Sequence, residues 1–169
     1  MKQILKIYGL IIALALGSCI KNDPVVFKGS QAEFDAATWN AKAPGLTYPI
    51  LNRVPAVGTN TTNSSPSLTR TSGSFTLRVN LVGAQKDTDT PFSYRVVTAE
   101  STAIAGTHFQ ALSGTGTIPA NSSFGTITVN VLDPGSSVDP VTLVLELTDS
   151  GDLKANTNYA KVGLSIAQN

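Results

Sequence analysis

Apolar and polar residues alternate with a period of two along much of the second half of the chain. In Ser74–Leu81, Phe75, Leu77, Val79 and Leu81 fall on one side, with Thr76, Arg78 and Asn80 on the other. In Phe92–Val97, Phe92, Tyr94 and Val96 alternate with Ser93 and Arg95, and Val97 breaks the pattern. In Phe124–Val131, Ile127, Val129 and Val131 alternate with Thr126, Thr128 and Asn130. In Val141–Leu147, Val141, Leu143, Leu145 and Leu147 share a side, and in Ala160–Ile166 so do Val162, Leu164 and Ile166. Successive side chains of a strand point to opposite faces, so each stretch predicts a half-buried strand. Turn-forming residues separate them at Gly83–Pro91, Asp133–Ser136 and Thr148–Asn158. Short strands at this spacing predict an all-β sandwich or barrel.

Residues 28–72 are less regular. Pro44, Pro49, Pro55 and Pro66 interrupt any period. A short helical turn is expected around Gln31–Trp39, and an edge strand around Ile50, Leu51 and Val54. Gly58–Ser67 has almost no apolar content and predicts an exposed loop. Residues 25–57 are too few to bury a core of their own. They are expected to add a strand or to cover an edge of one domain spanning 28–169.

The N-terminus has a different pattern. Lys2 and Lys6 precede an apolar run, and the small residues Gly17 and Ser18 precede Cys19. This is the order of a secretory signal. The run spans roughly ten residues, against about twenty for a bilayer-spanning helix. Leu16-Gly17-Ser18-Cys19 resembles the lipobox of bacterial lipoproteins. The resemblance implies cleavage after residue 18 and a diacylglycerol thioether on Cys19, because only a thiol can make that bond. An ordinary secretory signal with a chance cysteine is the competing reading. Cys19 is the only cysteine in the chain, which favours the lipobox and excludes any internal disulfide. Residues 19–27 then form an anchor and tether. Ile20-Lys21-Asn22-Asp23-Pro24 reads either as a surface-sorting signal or as a plain solvated spacer.

Cleavage leaves 151 of the 169 residues, enough for one domain with a sizeable core. Without Lys2 and Lys6, ten basic residues face eleven acidic ones. No basic stripe exists, so nucleic acid is not expected as a partner.

A family resemblance rests on residues 74–166. Phe75–Gly83 is a strand ending in Leu-Val-Gly, followed by Phe92–Thr98. Then come Thr102-Ala103-Ile104-Ala105-Gly106-Thr107-His108-Phe109 and Ser113–Ala120, which runs up to Ile118-Pro119-Ala120. Gly125–Leu132 leads into Asp133. This order resembles Calx-beta-like domains, particularly those of uncharacterised Bacteroidetes lipoproteins. It implies an immunoglobulin-like antiparallel β-sandwich. Calcium-binding members of that family place acids before the aromatic and after the last strand of the pattern. Those positions hold His108 and Asp133-Pro134 here, with Glu100 a further acid that could lie beside Asp133. Calcium needs about six to eight oxygen ligands, so no metal site is expected. Lipoproteins that it resembles look to be encoded beside outer-membrane nutrient-uptake systems of the starch-utilisation type, so the resemblance also implies an outer-membrane location, at or near the cell surface, and a role in capturing extracellular polymers.

Candidate chemistry is sparse. His108 is the sole histidine and reads as structural beside Phe109. No Gly-x-Ser-x-Gly elbow, phosphate-binding loop or recognisable carboxylate pair appears. No catalysis and no cofactor are expected beyond the covalent lipid. Trp39, the sole tryptophan, and Tyr48 are the candidate ligand-binding residues, as a stacking platform for sugar rings. Alternatively, Trp39 packs near Phe34 as core or edge cover. Two functions follow. One is a binding or accessory module for glycans or outer-membrane uptake proteins. The other is a structural or adhesion sandwich acting through protein–protein contacts.

Overall fold

In the computed structural model, which describes residues 27–169, the alternating stretches become strands. The expected export signal, Cys19 and most of the expected tether lie outside the described residues. In chain order the elements are β1 (Gln31–Phe34), α1 (Asp35–Trp39), β2 (Ile50–Leu51), β3 (Ser74–Val82), β4 (Thr90–Val96), β5 (Thr115–Ile118), β6 (Phe124–Asn130), β7 (Val141–Thr148), β8 (Lys154–Ala155) and β9 (Lys161–Ile166). They form two facing sheets, ordered β6-β3-β1-β8 and β2-β9-β7-β4-β5.

The longest pairings are antiparallel. β3 and β6 run together from Ser74 opposite Asn130 to Asn80 opposite Phe124. Phe75, Leu77 and Val79 therefore share an inner face with Val129 and Ile127, and all are buried. Across the sandwich, Phe92, Tyr94, Leu143, Leu145, Leu147, Val162, Leu164 and Ile166 close the core. Removing this apolar surface from water is the main stabilising contribution, about 25 cal/mol per Å².

The sheets are mixed rather than wholly antiparallel. β1 pairs parallel with β8, and β2 pairs parallel with β9. Both exceptions come from residues 28–72. β2 lies at a sheet edge, as its sequence predicts. β1 lies inside its sheet, between β3 and β8. The segment expected to be a helical turn is half strand and half helix. Gln31–Phe34 extends along β3 and buries Ala32 and Phe34, and the chain then turns once as Asp35–Trp39. Residues 148–158, expected to be a polar connection, contain β8 and the buried Leu153.

A candidate ligand-binding groove

The outward face of the first sheet carries two adjoining concave surfaces. Alternation along β1 sends Ala32 and Phe34 inward and Glu33 outward. Along β3 it sends Arg78 and Asn80 outward, and along β6 Phe124 and Thr126. The loop before β3 forms the opposing wall. Its two arms are tied where Val54 N–H donates to Pro66 O and Leu68 N–H donates to Asn52 O. Its tip is latched to α1 and to the residue that follows it. Gly58 N–H donates to Asp35 Oδ2 at 2.8 Å, and Thr61 N–H donates to Asn40 Oδ1 at 2.8 Å.

Two adjoining concavities result, of about 270 and 700 Å³. Both are lined by Asp35, Val57 and Arg78. The smaller adds Pro55, Phe124 and Thr126, and the larger adds Glu33, Trp39, Asn80 and Tyr159. Trp39 is 54 % exposed and Phe124 41 %, so aromatic surface is open to a ligand.

A hydrogen-bonded row holds the polar groups in place. Asn156 Nδ2 donates to Glu33 Oε2 at 2.8 Å, and Asn80 Nδ2 donates to Asp35 Oδ1 at 3.0 Å. Arg78 Nε donates to Asn80 Oδ1 at 2.7 Å. Its guanidinium lies over the Phe124 ring, 4.0 Å from the centroid, a favourable cation–π contact. Burial pushes the Glu33 carboxyl above its ordinary value, with Asp35 adding to the shift and the Asn156 and Asn80 amides opposing it. Fixed polar groups beside open aromatic faces are the usual make-up of a small-molecule site.

A family model for a domain of unknown function, DUF4843, matches residues 66–165, more than half of the chain. The chain belongs to the DUF4843 family. None of the curated proteins matches it in sequence. Among solved structures, the crystal structure of the apo form of the Calx CBD1 domain superposes with a TM-score of 0.52 at 18% identity. That match covers 82% of this chain and 98% of the other. The calcium-binding domain CBD12 of CALX1.1 superposes with a TM-score of 0.50 at 20% identity, over 59% of this chain and 39% of that one. These likenesses show the Calx-beta fold. The DUF4843 match contains Arg78, Asn80 and Phe124 but not Glu33, Asp35, Trp39 or Val57. The groove is therefore assembled from the family domain and the segment that precedes it.

The positions that the Calx-beta resemblance assigns to calcium do not fit that ion in this DUF4843 protein. Arg70 Nη1 donates to both Asp133 oxygens, at 2.6 Å each, and Gly135 N–H donates to Asp133 Oδ1 at 2.9 Å. The Gly135 amide and the Arg70 guanidinium hold the Asp133 carboxyl below its ordinary pKa. Glu100, expected as a neighbour of Asp133, instead accepts from Tyr48 and from Lys161. His108 Nδ1 accepts from Ile104 N–H at 3.0 Å, a loop-closing contact. Among the described residues, no group of three or more His, Cys, Asp or Glu side chains is placed to hold a metal.

Trp39 and Tyr48 do not form a joint platform. Tyr48 is only 5 % exposed. Its ring lies over Gly163 on the outward face of the second sheet, and a β-carbon added at Gly163 would come within 3.3 Å of Tyr48 Cε2. The missing side chain at Gly163 is what lets the phenol ring settle there. Trp39 lines the groove on the first sheet without it. The loop at Gly58–Ser67, expected to be exposed, is tied at two amides, Gly58 to Asp35 in α1 and Thr61 to Asn40 just after it.

Sequence reasoning missed Glu33, Asp35 and Arg78 as groove residues. One signal was legible. Phe124 has the same parity as Thr126 and Thr128, which places an aromatic on a polar face.

Proposed function

We propose that the protein is a non-catalytic, lipid-anchored capture module of the outer membrane that binds glycan chains in the groove on its first sheet. The observation that carries this reading is the open face of Trp39 beside the fixed Asp35, Asn80 and Arg78 row. A flat aromatic face packs against the apolar C–H face of a sugar ring. The adjacent polar groups exchange hydrogen bonds with hydroxyls and so select orientation. The lipobox at Leu16–Cys19 supports a membrane tether, and a tethered binder gains from working at a surface.

Glu33 and Asp35 are neighbouring carboxylates, but we read them as props rather than catalysts. Glycoside hydrolysis needs one carboxyl to give a proton and another to attack or activate water. Both Asp35 oxygens already accept hydrogen bonds, and Glu33 accepts from Asn156.

Affinity electrophoresis of the detergent-solubilised protein through polysaccharide gels tests the reading. At least one glycan class should retard the native protein. Trp39→Ala should weaken that interaction by about 2 kcal/mol or more, roughly thirtyfold, as truncating a tryptophan anchor does. Retardation unchanged by Trp39→Ala would place binding elsewhere.

A second reading, a structural or adhesion sandwich, is favoured by Ile104, 59 % exposed, and Val138, 94 % exposed, both on connecting loops. Single exposed apolar side chains are ordinary on a protein surface, so these two serve that reading as contact points for a partner and not as an interface patch. Absence of retardation in every glycan gel would favour it.

A further inference from the structure

Arg78 occupies the place where the two concavities meet. Two contacts fix its fork. Phe124 lies against one guanidinium face, and Nε is engaged with Asn80. The other guanidinium edge, with Nη1 and Nη2, has no hydrogen-bond acceptor among the described residues. Arg70, Arg95, Lys154 and Lys161 each stand against a carboxylate, whereas Arg78 forms no such pair among the described residues. Asp35 is linked to it only through Asn80.

The groove thus presents an oriented, charged pair of donors, while both Asp35 oxygens and Glu33 Oε2 are already engaged within the protein. We propose that Arg78 receives the carboxylate of an acidic sugar, so that the glycan bound in this groove is a uronate-bearing polysaccharide. This deepens the glycan-binding reading and rests on it. A hydroxyl offers a guanidinium one neutral acceptor. A carboxylate offers two oxygens at the spacing of the fork, with opposite charge. Phe124 shields one face of Arg78 from water, which strengthens a charge pair formed on its free edge. Asp35 and Glu33 bring negative charge to the same groove. The Gly58 amide and Asn80 engage the Asp35 oxygens and Asn156 engages Glu33, but both carboxylates keep their charge, so the direct two-oxygen contact with the Arg78 fork must outweigh their repulsion.

The test uses the full chain in detergent, with polygalacturonate and alginate as probes and their carboxyl-reduced forms as neutral partners of the same backbone. Affinities are read by titration at low and moderate salt. One of the acidic polymers should bind roughly tenfold or more tightly than its reduced form, the usual scale of a charged hydrogen bond. Arg78→Gln should erase that difference and keep the weaker binding of the reduced polymer. Arg78→Lys should restore part of it, since it keeps the charge without the fork. If either variant folds poorly, the wild-type comparison of acidic with reduced polymer still decides. Equal affinity for both forms would overturn the role of Arg78 and leave glycan capture standing, as would an acid preference that survives Arg78→Gln. Failure of every polymer, acidic or reduced, would overturn both.

Discussion

Burial, together with a hydrogen bond to the negatively charged Glu100, pushes the Tyr48 phenol up to about 12. The same contact, with Lys161, holds Glu100 below its ordinary value. Lys161 Nζ also stands 5.2 Å from the centroid of the Tyr48 ring. For Tyr48 the folded state favours the protonated phenol. Its stabilising contribution is complete below the ordinary tyrosine pKa of 10 and is lost as pH rises from 10 to about 12. For Glu100 the folded state favours the charged form, so its contribution is lost as pH falls through its depressed pKa. Tyr48→Phe keeps the ring over Gly163 and removes the hydroxyl. It should lower stability by about 1 kcal/mol at neutral pH. Melting temperatures measured across pH 10 to 12 should fall less steeply for the variant than for the native protein. The composition of the chain offers Tyr48 as an aromatic of either fate. Its burial depends on Gly163, distant in sequence but beneath its ring.

At the scale of elements, the two sheets come closest near β5 and β6. A β-carbon added at Gly116 would strike the Phe92 ring, and one added at Gly125 would strike both Phe92 and the Thr117 carbonyl. These glycines leave room for a fully buried phenylalanine between the sheets. Gly125→Ala should therefore destabilise the protein by about 1–3 kcal/mol, the usual cost of overfilling a packed core. Urea denaturation should show a lowered midpoint with an unchanged slope. A midpoint equal to that of the native protein would show that the sheets have slack there. The long strands were legible because a sustained period of two fits the pleat of a strand and not the 3.6-residue turn of a helix. Gln31–Phe34 and Lys154–Ala155 were not legible. They are too short to display a period, and they become strands only by pairing with each other and, for β1, with Glu33 and Phe34 set against Asn80 and Val79.

At the scale of the whole molecule, the groove joins segments that the sequence keeps apart. Asp35 reaches forward to Gly58 and across to Asn80, which links α1, the loop before β3 and β3 itself. The proposed lipid anchor concerns the other end of the chain. On that proposal, Cys19→Ala should leave the protein unlipidated and move it from the membrane to the soluble fraction, because acyl chains on that one residue would supply the anchoring. Fractionation after expression in a lipoprotein-processing host checks this. Equal membrane retention of the variant would show that something other than lipid holds it.

Local order in the chain was sufficient for the strands β3, β4, β6, β7 and β9 and for the all-β class. Each depends on neighbours within a few residues, through side-chain alternation. The two parallel additions to the sheets, the burial of Tyr48, the Arg70 hold on Asp133 and the groove around Arg78 were decided by tertiary structure. Each depends on which distant residue comes to lie opposite. Asp133 illustrates the difference. The Calx-beta resemblance matches its position to a family calcium ligand, and the guanidinium of Arg70, 63 residues earlier, already occupies its carboxylate.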